Sequence, residues 1–188
     1  DGDTGNVQKV GIEINDIYPE SWIDCYKEMY KDVANDPAAW AKYVQDNTEA
    51  DFVCLRLVGA DPNADDKSPE ECAEVAKKVA DAIDLPLVVA GCGVAEKDGK
   101  VFAKVSEALE GKNVLILSAV EDNYKEVGAA AGLAYGQKVG AESAVDINLA
   151  KQMNVLLTQL GVKAENIVMN VGCSAVGYGY EYVASTMD

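Results

Sequence analysis

The chain has 188 residues, enough for one full-sized domain and its core, and nearly half are apolar, which excludes a disordered tail. A formal charge of −16, with Arg56 as the only arginine, excludes the clustered positive surface that nucleic acid requires. No apolar run reaches the roughly 18–20 residues of a membrane span and no signal peptide is visible, so a cytoplasmic protein is expected.

The chain opens Asp1-Gly2-Asp3-Thr4-Gly5 without an initiator Met and closes at Asp188 inside a helical pattern, so it reads as a fragment of a longer polypeptide. Residues 10–15 form the first apolar run, where Ile12 and Ile14 alternate with Glu13 and Asn15. Asp36-Pro37 then sets a cap before a first-turn proline and leads into Trp40, Tyr43 and Val44. The second run, 52–59, alternates Val53, Leu55 and Leu57 with Cys54, Arg56 and Val58, and turns at Gly59-Ala60-Asp61-Pro62. Ser68-Pro69-Glu70-Glu71 is a capping box, and Cys72, Val75, Ala76, Val79 and Ile83 behind it share one helix face. Further runs follow at 86–91, 114–118, 137–141 and 167–172. Between them, 99–109 and 122–134 read as weaker helices, and Asp146 opens a strong one. That helix turns Leu149, Met153, Leu156, Leu157 and Leu160 inward and stops at Gly161. A last helix begins at Tyr180.

Six strands in strict alternation with helices require a parallel sheet with right-handed crossovers. Pattern alone leaves an open doubly wound sheet or part of a (β/α)₈ barrel. The first two strands favour the barrel, because each carries a charge opposite its helix-facing side, and central strands of an open sheet have helices on both faces. Residues 1–188 are therefore expected to form a single incomplete (β/α)₈ domain with about six of eight units. Glu13 and Arg56, on neighbouring strands, are expected to pair inside it as a buried ion pair whose rupture costs about 3–5 kcal/mol.

Residues at strand ends are the candidate binding positions, since βα loops build sites there. They are Asn15, Asp61, Gly91, Gly93, Ser118, Asn123, Asp146, Asn148, Asn170 and Gly172. Singly, Asp61, Asp122 and Asp146 can equally be starts of turns and helices. Gly91-x-Gly93 lacks the third glycine of a dinucleotide fingerprint. Without histidine, no nucleophile–base pair stands out, so no catalytic residue is assigned. Five cysteines with no CxxC spacing point to reduced thiols and to no metal on this chain. Cys54 and Cys72 are expected on apolar faces.

Several segments in order carry a resemblance: Val10-Gly11-Ile12-Glu13-Ile14-Asn15-Asp16-Ile17, Asp36-Pro37-Ala38-Ala39-Trp40-Ala41 and Gly59-Ala60-Asp61-Pro62. Leu87-Val88-Val89-Ala90-Gly91-Cys92-Gly93, Glu121-Asp122-Asn123-Tyr124-Lys125, Asp146-Ile147-Asn148 and Gly177-Tyr178-Gly179-Tyr180-Glu181-Tyr182 continue it. Together they resemble the small, delta-type subunit of the corrinoid iron–sulfur protein of the acetyl-CoA decarbonylase/synthase system. The resemblance implies a (β/α)₈ barrel paired with a large subunit that carries a 4Fe-4S cluster and a cobalamin. It also implies a methyl group passed from methyltetrahydrofolate and its methyltransferase to acetyl-CoA synthase/CO dehydrogenase, in the Wood–Ljungdahl pathway. On this reading the chain is a non-catalytic cover for the corrinoid. The alternatives are a pterin-dependent methyltransferase using Asn123, Asp146 or Asn170, and an unrelated metabolic barrel.

Overall fold

The structure, a computed structural model, describes residues 5–188. Strand β1 (Gly11–Asn15) leads to helices α1 (Asp24–Tyr30) and α2 (Pro37–Asn47). The chain continues as β2 (Phe52–Arg56), α3 (Pro69–Ala82), β3 (Leu87–Ala90), α4 (Ala95–Ala108) and β4 (Val114–Ala119). It closes with α5 (Tyr124–Val127), β5 (Lys138–Glu142), α6 (Ile147–Leu160), β6 (Ile167–Asn170) and α7 (Tyr180–Met187). Helix α5 widens into a π-helical stretch over Gly128–Ala134.

All six strands are parallel, and each is hydrogen-bonded to its sequence neighbours in the order β1-β2-β3-β4-β5-β6. A doubly wound sheet reverses its strand order at a switch point. This one does not. The order agrees with part of a TIM-barrel-like fold, and among the described residues β1 and β6 do not pair with each other.

Strand alternation sorts the residues onto two faces. Ile14, Val53, Leu55, Val89, Ile116, Val139 and Ala141 are wholly buried against the helices. There they meet Trp40 and Val44 of α2, Ala76 and Val79 of α3, Phe102 and Val105 of α4, and Met153 and Leu157 of α6. Each such large aliphatic or aromatic side chain contributes roughly 1.5–3 kcal/mol by leaving water.

The local signals act as expected at three helix ends. Asp36 accepts from the Ala38 and Ala39 amides, Ser68 and Glu71 complete their capping box, and Asp146 accepts from Asn148 and Leu149. Gly161 ends α6 with φ +107°, a conformation that costs other residues about 1 kcal/mol or more. Two elements differ from the sequence reading. Helix α1 was not anticipated, having no cap hydrogen bond and no buried residue, and α4 starts at Ala95 rather than 99.

Polar side chains tie the layers together where the backbone cannot. Gln137, almost wholly buried, donates to the Ser106 and Leu109 carbonyls at the end of α4, at 3.0 and 3.1 Å. Strand β5 begins one residue later than the apolar run, at Lys138, where the backbone first pairs with β4. Asp16 has a fully buried carboxylate that accepts from the Gly59 amide at 2.9 Å and from Lys67 at 3.0 Å. It locks the turn Val58–Ala60 against the end of β1.

Candidate functional site

Because the strands are parallel, their carboxyl ends lie together, and the strand-end residues gather at one end of the sheet. Asn15 ends β1, Gly91 follows β3, Ser118 lies near the end of β4, and Asn170 ends β6. Asp61 and Asp146 lie in the loops after β2 and β5.

A cavity of about 290 Å³ opens there, between the face of the sheet away from the helices and the loops after β3 and β4. Gly91, Gly93, Ser118, Asn123 and Asn170 line it, as the sequence suggested. Asn15, Asp61, Asp146, Asn148 and Gly172 do not. Asp61 accepts from Asn63, Asp146 caps α6 with Asn148 exposed in its first turn, and the Gly172 amide donates to Asn170. Asn15 is 7% exposed, and its side-chain oxygen has no partner among the described residues.

Each lining group has a local cause. On β4, Leu117 and Ser118 both reach the cavity because β4 carries one extra residue between the pairings Ile116↔Val139 and Ala119↔Ala141. Asn123 is spent on the fold: it accepts from the Val120 amide and donates to the Ala95 carbonyl. Asn170 donates to Ser118 Oγ at 3.1 Å and, more loosely, to Glu142 at 3.4 Å. Gly91 has to be glycine, since a Cβ there would sit 2.3 Å from the Asp98 carboxyl carbon.

Asp98, in the first turn of α4, was missed by the sequence reading and organises this rim. The residue is 6% exposed, and its carboxylate accepts from the Cys92 and Gly93 amides, both at 2.9 Å, and from the Cys92 thiol at 3.2 Å. Glu142, at the end of β5, was also missed. The apolar run stopped at 141, yet Glu142 continues the alternation of Lys138 and Gly140 toward the cavity.

Glu13 and Arg56 also line the cavity, where they had been read only as a buried pair. They do pair, at 3.7 Å, inside the 4 Å ion-pair limit, but each side chain is about half exposed, at 47% and 48%. The expectation of burial is corrected accordingly: with the cavity between them and the opposite wall, water reaches both. No hydrogen bond holds the guanidinium among the described residues.

Cys72 is wholly buried in the helix-side core, but Cys54 lies on the cavity face beside Glu13 and Arg56, which corrects its placement on an apolar face. Burial, assisted by Glu13, pushes the Cys54 thiol up to about 12, and Arg56 offsets this only in part. Burial likewise raises Cys72 and Cys92 to about 11. These thiols are therefore poor nucleophiles at neutral pH. The cavity instead offers hydrogen-bonding groups: one guanidinium, the Glu13 and Glu142 carboxylates, and the Ser118 hydroxyl.

The sequence pattern of the CO dehydrogenase/acetyl-CoA synthase delta subunit matches residues 3–188. The chain belongs to that delta-subunit family. A relative from Methanothermobacter thermautotrophicus, named acetyl-CoA decarbonylase/synthase complex subunit delta, is 39% identical over 83% of this chain and 40% of its own length. Relatives of the same name from Methanocaldococcus jannaschii and Archaeoglobus fulgidus are 35% and 36% identical, over 97% and 85% of this chain. The chain spans 45% and 35% of their lengths, so it corresponds to less than half of a typical delta subunit. Among the described residues no helix is long and apolar enough to cross a membrane, and no cluster of three or more His, Cys, Asp or Glu is placed to hold a metal.

Proposed function

We propose that this chain is part of a delta subunit that covers a corrinoid held by a larger partner and helps a methyl group pass between proteins. The observation that carries the reading is the cavity at the carboxyl ends of six sequentially ordered strands, in a chain of the delta-subunit family. We place the protein in the cytoplasm, and propose that further strand–helix units of the full subunit close the sheet into a (β/α)₈ barrel. The partners on this reading are a large subunit carrying a 4Fe-4S cluster, a methyltetrahydrofolate methyltransferase and acetyl-CoA synthase/CO dehydrogenase.

The residues present suit the edge of a corrinoid rather than its whole ring. Small-molecule sites usually span roughly 300–1,000 Å³, and this cavity falls just below that range. Arg56 and Ser118 can donate to an arm of the ring, and Glu13 and Glu142 can accept from one. When bound, the corrinoid would supply a cobalt able to carry a methyl group. This chain would orient the ring's edge and shield it from water, while Asp98 holds the rim in place.

The rival reading is a pterin-dependent methyltransferase. Two of its residues are weakened, because Asn123 spends both ends of its amide on backbone and Asp146 caps α6. Purification of the full-length subunit from its native host discriminates the two. A coloured complex with a larger cluster-bearing chain is the expected result. A colourless subunit that alone transfers methyl groups from methyltetrahydrofolate to free cobalamin would overturn the carrier reading.

A further inference from the structure

We infer that Glu13, Arg56 and Glu142 form a reader for a neutral carboxamide or lactam edge, and that the cavity refuses a carboxylate in the same place. The inference deepens the corrinoid reading and rests on it for the identity of the ligand, but its chemistry comes from the cavity wall.

Consider which groups remain uncommitted. Asn123 is bound at both ends to backbone, Asn170 is held by Ser118, Glu142 and the Gly172 amide, and both Asp98 oxygens accept from the β3–α4 loop. What is left among the described residues is the Arg56 fork, with Glu13 as its one partner there at 3.7 Å, the Glu13 carboxylate, and the Glu142 carboxylate, which Asn170 holds only loosely at 3.4 Å. The free groups are thus a strong donor beside strong acceptors. A primary amide or a ring lactam presents the complement, a carbonyl for the guanidinium and N–H groups for a carboxylate.

Charge then decides against an anion. Glu13, Asp98 and Glu142 oppose the single guanidinium of Arg56, so the wall is net negative. A ligand carboxylate would gain Arg56 but would face Glu142 and displace Glu13, leaving like charges together in a partly enclosed space. A neutral amide meets no such repulsion and need not break the Glu13–Arg56 pair.

Two ligands share this chemistry: the carboxamide arms of a corrin and the lactam edge of a pterin. Equilibrium dialysis of the full-length subunit at pH 7 separates them with three probes. These are dicyanocobinamide, whose arms are amides; dicyano-cobyrinic acid, whose arms are carboxylates; and a tetrahydropterin without a glutamate tail. Cobinamide is expected to bind roughly tenfold or more tighter than cobyrinic acid, since like-charge juxtaposition is worth at least that factor. Glu142→Gln is expected to narrow the gap by strengthening cobyrinic acid binding, and Arg56→Gln to weaken cobinamide binding about tenfold. Equal binding of the two corrinoids by the unsubstituted protein, or an unchanged gap in Glu142→Gln, overturns the inference while leaving the corrinoid reading intact. Binding of the pterin alone keeps the amide reader and overturns the corrinoid reading. Binding of none of the three overturns the amide reader, whereas the corrinoid reading, in which a partner holds the ring, is decided by the co-purification above.

Discussion

At the scale of single residues, exposure sets how much each charged group matters. Glu13 and Arg56 are half in water, so their pair is worth about 1 kcal/mol or less. Glu13→Gln is therefore expected to shift the urea midpoint barely at all. A loss of several kcal/mol would mean that the pair is sequestered in the complete protein. Asp98 is the opposite case. Its removal in Asp98→Ala leaves the half-buried Cys92 amide without its acceptor, at a cost of about 1–3 kcal/mol, while water can serve the exposed Gly93 amide. Chemical denaturation should show the difference between the two variants directly. The thiols give a third test. Cys54, Cys72 and Cys92 are raised to about 11–12, so their thiolate is scarce at pH 8 and grows only as the pH climbs toward those values. Iodoacetamide at pH 8 is expected to label the exposed Cys25 and Cys173 first, with Cys72 protected until unfolding. Mass spectrometry of the peptides reads the order, and early labelling of Cys72 would contradict its burial.

At the scale of elements, the legible parts were those whose sequence and packing agree. All six strands lie within their apolar runs or within one residue of them, because each is bounded by turn residues and packs one alternating face on helices. Helices α2, α3 and α6 were legible from caps whose hydrogen bonds are present. Helix α1 was not, since it buries no residue and therefore shows no periodic apolar face. The start of α4 was hidden because Glu96, Lys97 and Asp98 read as a polar loop, although Asp98 is turned inward to serve the rim. The same fact explains the half-read site. Strand-end positions mark Gly91 and Asn170, whereas the Asp98 side chain is sent back from a helix. Gly91→Ala tests this rim as a unit. Its new methyl group would press on the Asp98 carboxyl, and overpacking of this kind costs typically 1–3 kcal/mol. A thermal melt as high as the parent's would show that α4 can move away.

At the scale of the whole molecule, the two outer strands are the open question for stability. Beside β1, Ile23, Tyr26 and Met29 are exposed, and on β6 Val168 and Met169 are exposed. Unpaired strand edges with apolar neighbours template association. Amide hydrogen exchange of residues 1–188 expressed alone is expected to be slowest in β2 to β5 and fast in β1 and β6. In the full-length subunit, slow exchange in all six is expected if further units close the sheet. Fast exchange in β1 and β6 there would contradict closure.

The unbroken strand order has a consequence for how the chain is made. Each strand pairs with the one synthesised just before it, so every docking step joins segments already close along the polypeptide and closes only a short loop. As the chain leaves the ribosome, β2 can settle on β1 before β4 exists, and the arc can lengthen one strand and helix at a time. The cavity cannot follow that schedule. Its wall draws on Glu13 at the start and Asn170 near the end, so it is completed only after all the intervening layers are in place. A nascent subunit stalled before β6 would hold most of its core yet lack Asn170, and with it the bond that steadies Ser118 and Glu142. Growth in sequence order thus delays completion of the cavity until the architecture that supports it has formed.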